Sequence, residues 1–113
     1  MNIQIFGTKK CKDTQKAERF FKERRIQFHF RDLTIKGISK GELENIKRVI
    51  PLEDLINENG KQFKKRNLKY MLYDIEEELL SDPLLFKTPI VRNGRLATAG
   101  YQPEIWNKWI END

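Results

Sequence analysis

The chain has 113 residues, of which 38% are hydrophobic and 35% charged, which is enough apolar content for one small domain with one core. The short apolar runs exclude a membrane span, and the start "MNIQIFG" lacks the order of a signal peptide. A single cysteine excludes an internal disulfide, so we expect a protein of the reducing cytoplasm. The net charge of +5 either favours acidic partners or describes a solvated surface.

The first third of the chain predicts a β-α-β unit. "NIQIFG" and "IQFHFRDL" alternate apolar and polar residues as strands do. The stretch "KDTQKAERFFKERR" between them places Ala17, Phe20 and Phe21 on one helical face. Two strands joined by a helix are usually parallel.

The middle of the chain predicts short helices, over about residues 39–82. Ser39 and Glu42 fit a capping box, with Leu43, Ile46 and Val49 following at helical spacing until Pro51 ends the helix. Further helices are expected at "LEDLIN", "KQFKKRN" and "YMLYDIEEELL". The three glutamates of the last stretch are expected on a solvated face.

The end of the chain returns to strands and closes with a helix. "PIVRNGRLAT" predicts a hairpin about an Asn93-Gly94 turn. A last helix is expected to begin near Pro103 and to place Trp106 and Trp109 in the core. The order β-α-β, helices, β-β-α predicts an α/β domain with a mixed four-stranded sheet.

Cys11 lies between the first strand and the first helix, where free backbone N–H groups and the helix dipole stabilise a thiolate. Lys9, Lys10 and Lys12 add positive charge around it. The alternative is an inert, buried thiol, which is a common state of free cysteines. Thr14 stands where a dithiol motif has its second cysteine, so a reactive Cys11 would need an external thiol to resolve its mixed disulfide.

Other chemistries find little support in the sequence. His29 is the only histidine and falls on an outward position of the second strand, and one cysteine with one histidine does not make a metal site. No phosphate-binding loop or nucleophile elbow occurs. We expect no metal, no direct nucleic-acid binding, no membrane association and a monomer.

Four segments together resemble the arsenate reductase (ArsC)/Spx-like family: "GTKKC" with "KA" in the following helix, "LINENGKQFKK", "TPIV" and "AGYQPEIW". The resemblance covers nearly the whole chain. It implies a thioredoxin-like fold in residues 1–113, with a helical insertion at about 39–82. It also implies that Cys11 is the catalytic cysteine and Pro89 the cis-proline of the family.

The same resemblance implies a binding site around the cysteine. Thr14 would hydrogen-bond the thiolate, and Thr88 and Pro89 would shape the pocket for a thiol or substrate. The far wall would be formed by Asn57, Asn59 and Gly60. Lys9, Lys10 and Lys12 would lower the pKa of Cys11.

The sequence departs from the family's arsenate reductases at the anion-binding arginines. Asn57, Thr88 and Ala99 or Gly100 occupy the corresponding places. An oxyanion site without bidentate guanidinium groups loses its strongest contacts. Arg66, Arg92 and Arg95 would replace them only if the fold brought them to the cysteine, so efficient arsenate reduction is not expected.

Two functions remain open on this basis, beside the case of a family member whose cysteine is vestigial. The first is a cytosolic thiol-dependent reductase with no bound cofactor, in which Cys11 forms a mixed disulfide. Glutathione, another small thiol, or a redox protein such as glutaredoxin or thioredoxin would resolve that disulfide. The alternative is an Spx-like transcriptional regulator that binds the alpha subunit of RNA polymerase, without the C-x-x-C redox switch because residue 14 is threonine.

Overall fold

The computed structural model describes residues 1–113 as a sheet with helices on both faces. Along the chain the elements are β1 (Ile3–Gly7), α1 (Lys12–Glu23), β2 (Phe28–Asp32), α2 (Lys40–Lys47), α3 (Leu52–Leu55), α4 (Lys61–Lys65), α5 (Ile75–Ser81), β3 (Ile90–Asn93), β4 (Leu96–Ala99) and α6 (Pro103–Glu111). The predicted order of elements is therefore confirmed.

The sheet has four strands in the order β2-β1-β3-β4. β1 and β2 are parallel, with Gly7 opposite Asp32, and β3 runs antiparallel to β1, with Ile90 opposite Phe6. This mixed sheet with its βαβ and ββα halves is the thioredoxin-like fold. The carboxyl end of β1 thus lies beside the end of β2 and the start of β3.

The hairpin between β3 and β4 turns one residue later than predicted. Asn93 pairs with Leu96, so the two loop residues are Gly94 and Arg95 rather than Asn93 and Gly94. Gly94 has a φ of +59°, which suits a glycine at the first central position of a two-residue hairpin.

The two faces of the sheet bury different side chains. Ile3 and Ile5 pack on one face against α1 and α6, where the rings of Phe21 and Trp106 lie 5.3 Å apart. The indole N–H of Trp106 donates to Thr98 Oγ1 at 2.8 Å, so this buried polar group is satisfied. The other face is covered by the helical insertion, whose buried residues are mostly aliphatic.

The first insertion helix has the predicted cap but ends earlier than expected. Ser39 and Glu42 form both bonds of the capping box. The helix stops at Lys47, and Ile50 is buried while Val49 is 48% exposed. The chain leaves the helical path ahead of Pro51, because the residue before a proline avoids the α region.

The last insertion helix starts later than predicted, at Ile75, because Asp74 accepts a hydrogen bond from the backbone of Glu77 and caps it. Its glutamates are not all solvated. Glu76 pairs with Lys47, and Glu78 pairs with Arg66. These pairs join α5 to α2 and to the end of α4. No helix of the chain is both long and apolar enough to cross a membrane.

Candidate functional site

Cys11 is the residue that caps the amino end of α1. Its backbone N–H donates to Thr8 O at 3.2 Å, and its carbonyl accepts from the N–H of Gln15 at 3.0 Å. Gln15 also donates from its side chain to Lys9 O at 2.6 Å, which holds the loop between β1 and α1. The free thiol is half-buried at the carboxyl end of β1.

Thr88 lies directly against the sulfur, although 77 residues separate it from Cys11 in the chain. Its hydroxyl donates to Cys11 Sγ at 3.1 Å, and its carbonyl oxygen lies 3.8 Å from the same sulfur. The Thr88–Pro89 peptide bond is cis, as the family resemblance implies. The antiparallel pairing of β3 with β1 brings these two residues to the cysteine.

The thiol is biased toward the thiolate. Burial alone would raise the pKa of Cys11, but hydrogen bonds outweigh this effect and leave the pKa below its ordinary value. The groups that favour the thiolate are the Thr14 and Thr88 hydroxyls and the backbone N–H groups of Thr14 and Asp13, of which the Thr88 hydroxyl forms a hydrogen bond to the sulfur. The two backbone donors belong to the first turn of α1, where N–H groups have no partner within the helix.

Thr14 has an unusual state in this site. Its hydroxyl oxygen is completely buried and has no hydrogen-bond partner in the chain. It approaches the sulfur closely enough to favour the thiolate, although its geometry falls short of a formed hydrogen bond. A buried hydroxyl without a partner is costly, and a negative charge on Cys11 would satisfy it.

Gly7 makes room for Thr14. A Cβ atom at Gly7 would lie 2.4 Å from Thr14 Oγ1 and 2.7 Å from its Cγ2, both far inside normal contact distance. The missing side chain in the last position of β1 therefore lets Thr14 pack under the cysteine. Sequence reasoning missed this glycine, because its role depends on a contact across the strand-to-helix junction.

A cleft of about 720 Å³ opens in front of the sulfur. Its lining comes from the loop after β1, the end of β2, the start of α4 and the segment before β3, and comprises Thr8, Lys9, Lys10, Cys11, Asp32, Thr34, Lys61, Gln62 and Leu84. Gln62 is fixed by a 2.7 Å hydrogen bond to Asp82.

Asp32 and Thr34 are site residues that sequence reasoning missed. Asp32 accepts from the backbone N–H and the hydroxyl of Thr34 at 2.9 and 2.6 Å, and these bonds lower the pKa of the carboxyl group. The cleft therefore contains an anion beside its lysines. The signal was available, since the ends of two neighbouring parallel strands meet at one edge of a sheet.

The predicted far wall of the site differs from the residues that line this cleft. Asn57 and Asn59 are absent from the cleft lining and instead form a turn of their own, in which Asn57 Oδ1 accepts from the Asn59 N–H at 3.3 Å. Gly60 precedes α4 and approaches Asn57, so its place is structural. Lys61 and Gln62, the next two residues, supply the wall.

The lysines contribute less to the thiol than predicted. Lys9 and Lys10 line the cleft but are exposed, and Lys12 is exposed on the first turn of α1. None of the three is among the largest causes of the lowered Cys11 pKa. Exposed charges are screened by solvent and salt, whereas hydrogen bonds to the sulfur are not.

No arginine replaces the missing anion ligands at Cys11. Arg66 is paired with Glu78 and Asp82. Arg92 and Arg95 lie toward the hairpin loop, at the opposite end of the sheet from the cysteine. His29 is exposed on β2, and no group of three or more metal-ligating side chains occurs.

Comparison with known proteins places the chain among relatives of similar length. A family model described as the ArsC family matches residues 6–109. The YusI protein of Bacillus subtilis (strain 168) is 26% identical in an alignment of 111 positions that covers 92% of this chain and 94% of that protein.

Solved structures share the fold. An ArsC family related protein from Bacteroides fragilis is 25% identical, with a TM-score of 0.80 over 96% of this chain and 98% of that one. An arsenate reductase from Vibrio cholerae, 18% identical, superimposes with a TM-score of 0.79 over 96% and 97% of the two chains. At that identity the likeness shows the fold alone.

Proposed function

The chain belongs to the ArsC family, and on this premise we propose that it is a thiol-dependent reductase with a single nucleophile, Cys11. One observation carries the proposal: the Thr88 hydroxyl donates to Cys11 Sγ at 3.1 Å beside the cis-proline. Together with the free N–H groups of α1, this bond favours the attacking form of the thiol.

The proposed reaction is thiol–disulfide exchange. The Cys11 thiolate attacks one sulfur of a substrate disulfide, a new S–S bond forms, and the old S–S bond breaks to release a thiolate that takes a proton from water. The enzyme is then a mixed disulfide. Since the chain has no second cysteine, an external thiol such as glutathione attacks this bond and restores Cys11. This step releases a mixed disulfide of substrate and external thiol. A second molecule of that thiol attacks the new bond, which forms the oxidised thiol dimer and frees the second substrate thiol, so the substrate disulfide gains two electrons.

The cleft residues have separate roles in this proposal. Thr88 and Thr14 stabilise the thiolate as it forms and as it leaves during resolution. Lys10 and Lys61 line the opening and attract the carboxylates of a peptide-like thiol. Asp32 offers an acceptor to its ammonium group. A small thiol that carries both carboxylate and ammonium groups therefore suits this lining as the cosubstrate.

Arsenate is a poor substrate in this proposal. The positions of the family's arginines hold Asn57, Thr88 and Ala99 or Gly100. Gly100 has a φ of +81°, where any side chain would be strained, and its N–H donates to Pro89 O at 2.8 Å. Nothing in the cleft offers the bidentate guanidinium contacts that bind an oxyanion most strongly.

The test is mixed-disulfide formation followed by turnover. Reduced protein is mixed with glutathione disulfide, and intact mass is followed with time. We expect one glutathione adduct in the native chain, none in Cys11→Ser, and catalysed reduction of hydroxyethyl disulfide by glutathione. If the protein reduces hydroxyethyl disulfide no faster than glutathione alone does, the proposed enzymatic function is wrong.

Two further assays separate the alternatives. Arsenate with glutathione and glutaredoxin should give no more product with the native chain than with Cys11→Ser. The regulator alternative, in which the chain binds the alpha subunit of RNA polymerase, stays a prediction. Its test is co-purification of that subunit at low salt, and absence of retention there would count against it.

A further inference from the structure

A second cleft, of about 490 Å³, lies near the hairpin between β3 and β4. Three arginines from three different elements line it: Arg48 follows α2, Arg92 belongs to β3 and Arg95 lies in the hairpin loop. The remaining lining is Asn45, Val49 and Gly94. No carboxylate contributes to this surface.

The three arginines form no direct ion pair, and Arg48 acts on one carboxylate only from a longer distance: the pKa of Glu44 is lowered by its hydrogen bond to Lys47 and, more weakly, by the charge of Arg48. Arg48, Arg92 and Arg95 form no ion pair and donate no side-chain hydrogen bond, whereas the chain pairs Arg31 with Glu42 and Arg66 with Glu78 and Asp82. Three guanidinium groups around one concave surface repel each other. An anion in the cleft would relieve this repulsion and would receive hydrogen bonds from each group.

This cleft is separate from the cysteine site. Arg92 pairs with Gln4 near the amino end of β1, whereas Cys11 follows the carboxyl end of the same strand. A five-residue strand spans roughly 13 Å from first to last Cα. The two clefts share no lining residue. A ligand in one therefore does not contact the other.

We propose that the arginine cleft binds the phosphate group of a small phosphorylated ligand. Guanidinium groups match the oxygens of a phosphate dianion in bidentate pairs, and the Asn45 side chain adds a neutral donor. A protein partner fits the lining less well. Val49 is its only apolar side chain, and protein interfaces are built around apolar and aromatic anchors.

Arg92 is the residue expected to matter most. It is the least exposed of the three arginines, and its place within β3 holds its backbone in the sheet. Arg48 and Arg95 are exposed and reach the cleft from the helix end and the loop. Removing one charge-assisted contact to a phosphate is expected to weaken binding by about tenfold or more.

The experiment is a titration with inorganic phosphate, then with phosphoserine, at constant ionic strength, followed by backbone amide NMR. We expect saturable chemical-shift changes confined to amides at the end of α2 and in the hairpin. The affinity for phosphate should fall by about tenfold in Arg92→Ala and in Arg48→Gln. The matched control is Arg19→Ala, which removes an exposed arginine of α1 outside the cleft and should bind normally.

Three outcomes would overturn the proposal. The first is that chloride at the same ionic strength causes the same chemical-shift changes. The second is that Arg19→Ala weakens phosphate binding as much as Arg48→Gln does. The third is that a glutamate-rich peptide saturates these amide shifts while phosphate does not. Arg48→Gln keeps the test valid if Arg92→Ala fails to fold, because Arg48 is exposed and lies outside the sheet. Cys11 alkylation should be unchanged in all variants, so this result stands apart from the proposed reductase function.

Discussion

The structure can stabilise negative charge at both ends of β1, but by different kinds of groups. At its carboxyl end, a sulfur is surrounded by hydroxyl and amide donors, and the nearby lysines are exposed and are not among the largest causes of its lowered pKa. At its amino end, three arginines line a cleft to which no carboxylate contributes. The first end stabilises the negative charge of the Cys11 thiolate. The second end offers positive charge to an anionic ligand.

The contrast has a physical consequence. Donors fixed by the fold act at short range and are insensitive to salt, whereas guanidinium groups on the surface act through charge and are screened. A single-atom nucleophile suits the first arrangement, because two hydroxyls and two N–H groups can meet at one sulfur. A polyatomic anion suits the second.

The largest expected effect comes from Gly7→Ala at the cysteine end. The added methyl group overlaps the Thr14 side chain, which is buried and β-branched and has little freedom to move. We expect the free energy of unfolding to fall by about 1–3 kcal/mol. The measurement is urea denaturation followed by circular dichroism.

The matched control for this change is the double variant Gly7→Ala with Thr14→Ala. Removing the Thr14 hydroxyl and methyl groups clears the overlap, so the double variant should recover most of the stability lost by Gly7→Ala. If the two substitutions are additive, the glycine does not serve Thr14, and the described packing under the cysteine is wrong.

The next effect concerns the hydroxyl donors themselves. Thr88→Val removes the bond to Sγ, so the apparent pKa of Cys11 should rise, and the thiolate fraction at a pH below that pKa should fall by about fivefold. The measurement is the pH dependence of alkylation. Thr34→Val is the control, since its hydroxyl lies in the same cleft but bonds to Asp32.

Thr88→Val also tests how the free energy of unfolding depends on pH through the ionisation of Cys11. The folded pKa of Cys11 lies below the unfolded value, so the thiolate contributes stability that is fully present above the unfolded pKa and is lost as pH falls through the folded pKa. The difference in unfolding free energy between native and Thr88→Val chains should therefore have a pH-dependent part that grows toward about pH 9. A difference independent of pH would mean that Thr88 acts only through packing.

The expectations for this site came from two different sources, local sequence patterns and the family resemblance. The placement of Cys11 before an amphipathic helix follows from local patterns. The approach of Thr88 and Pro89 came only from the family resemblance, because the contact to Cys11 spans 77 residues. The mixed four-stranded sheet and the helices between its two halves followed from the same two sources, whereas the order of the strands in the sheet was not predicted.

The differences between prediction and structure have both local and long-range causes. "NENG" was assigned to the far wall, yet Asn57 bonds within its own turn, and Lys61 faces the cleft instead. The glutamates of α5 were expected in solvent, yet Glu76 meets Lys47 from 29 residues away. Local periodicity gives the face on which a residue lies but not its partner across the fold.

The smallest effect is expected from the lysines, and it distinguishes the two ends most directly. Lys9→Ala combined with Lys10→Ala should change the alkylation rate of Cys11 at pH 7 by less than about twofold, because exposed charges are weak in water at ordinary salt. Raising sodium chloride should likewise leave that rate almost constant. Over the same range, phosphate binding at the arginine cleft should weaken steadily. A strong salt dependence of Cys11 alkylation would show that charge, and not hydrogen bonding, activates the thiol.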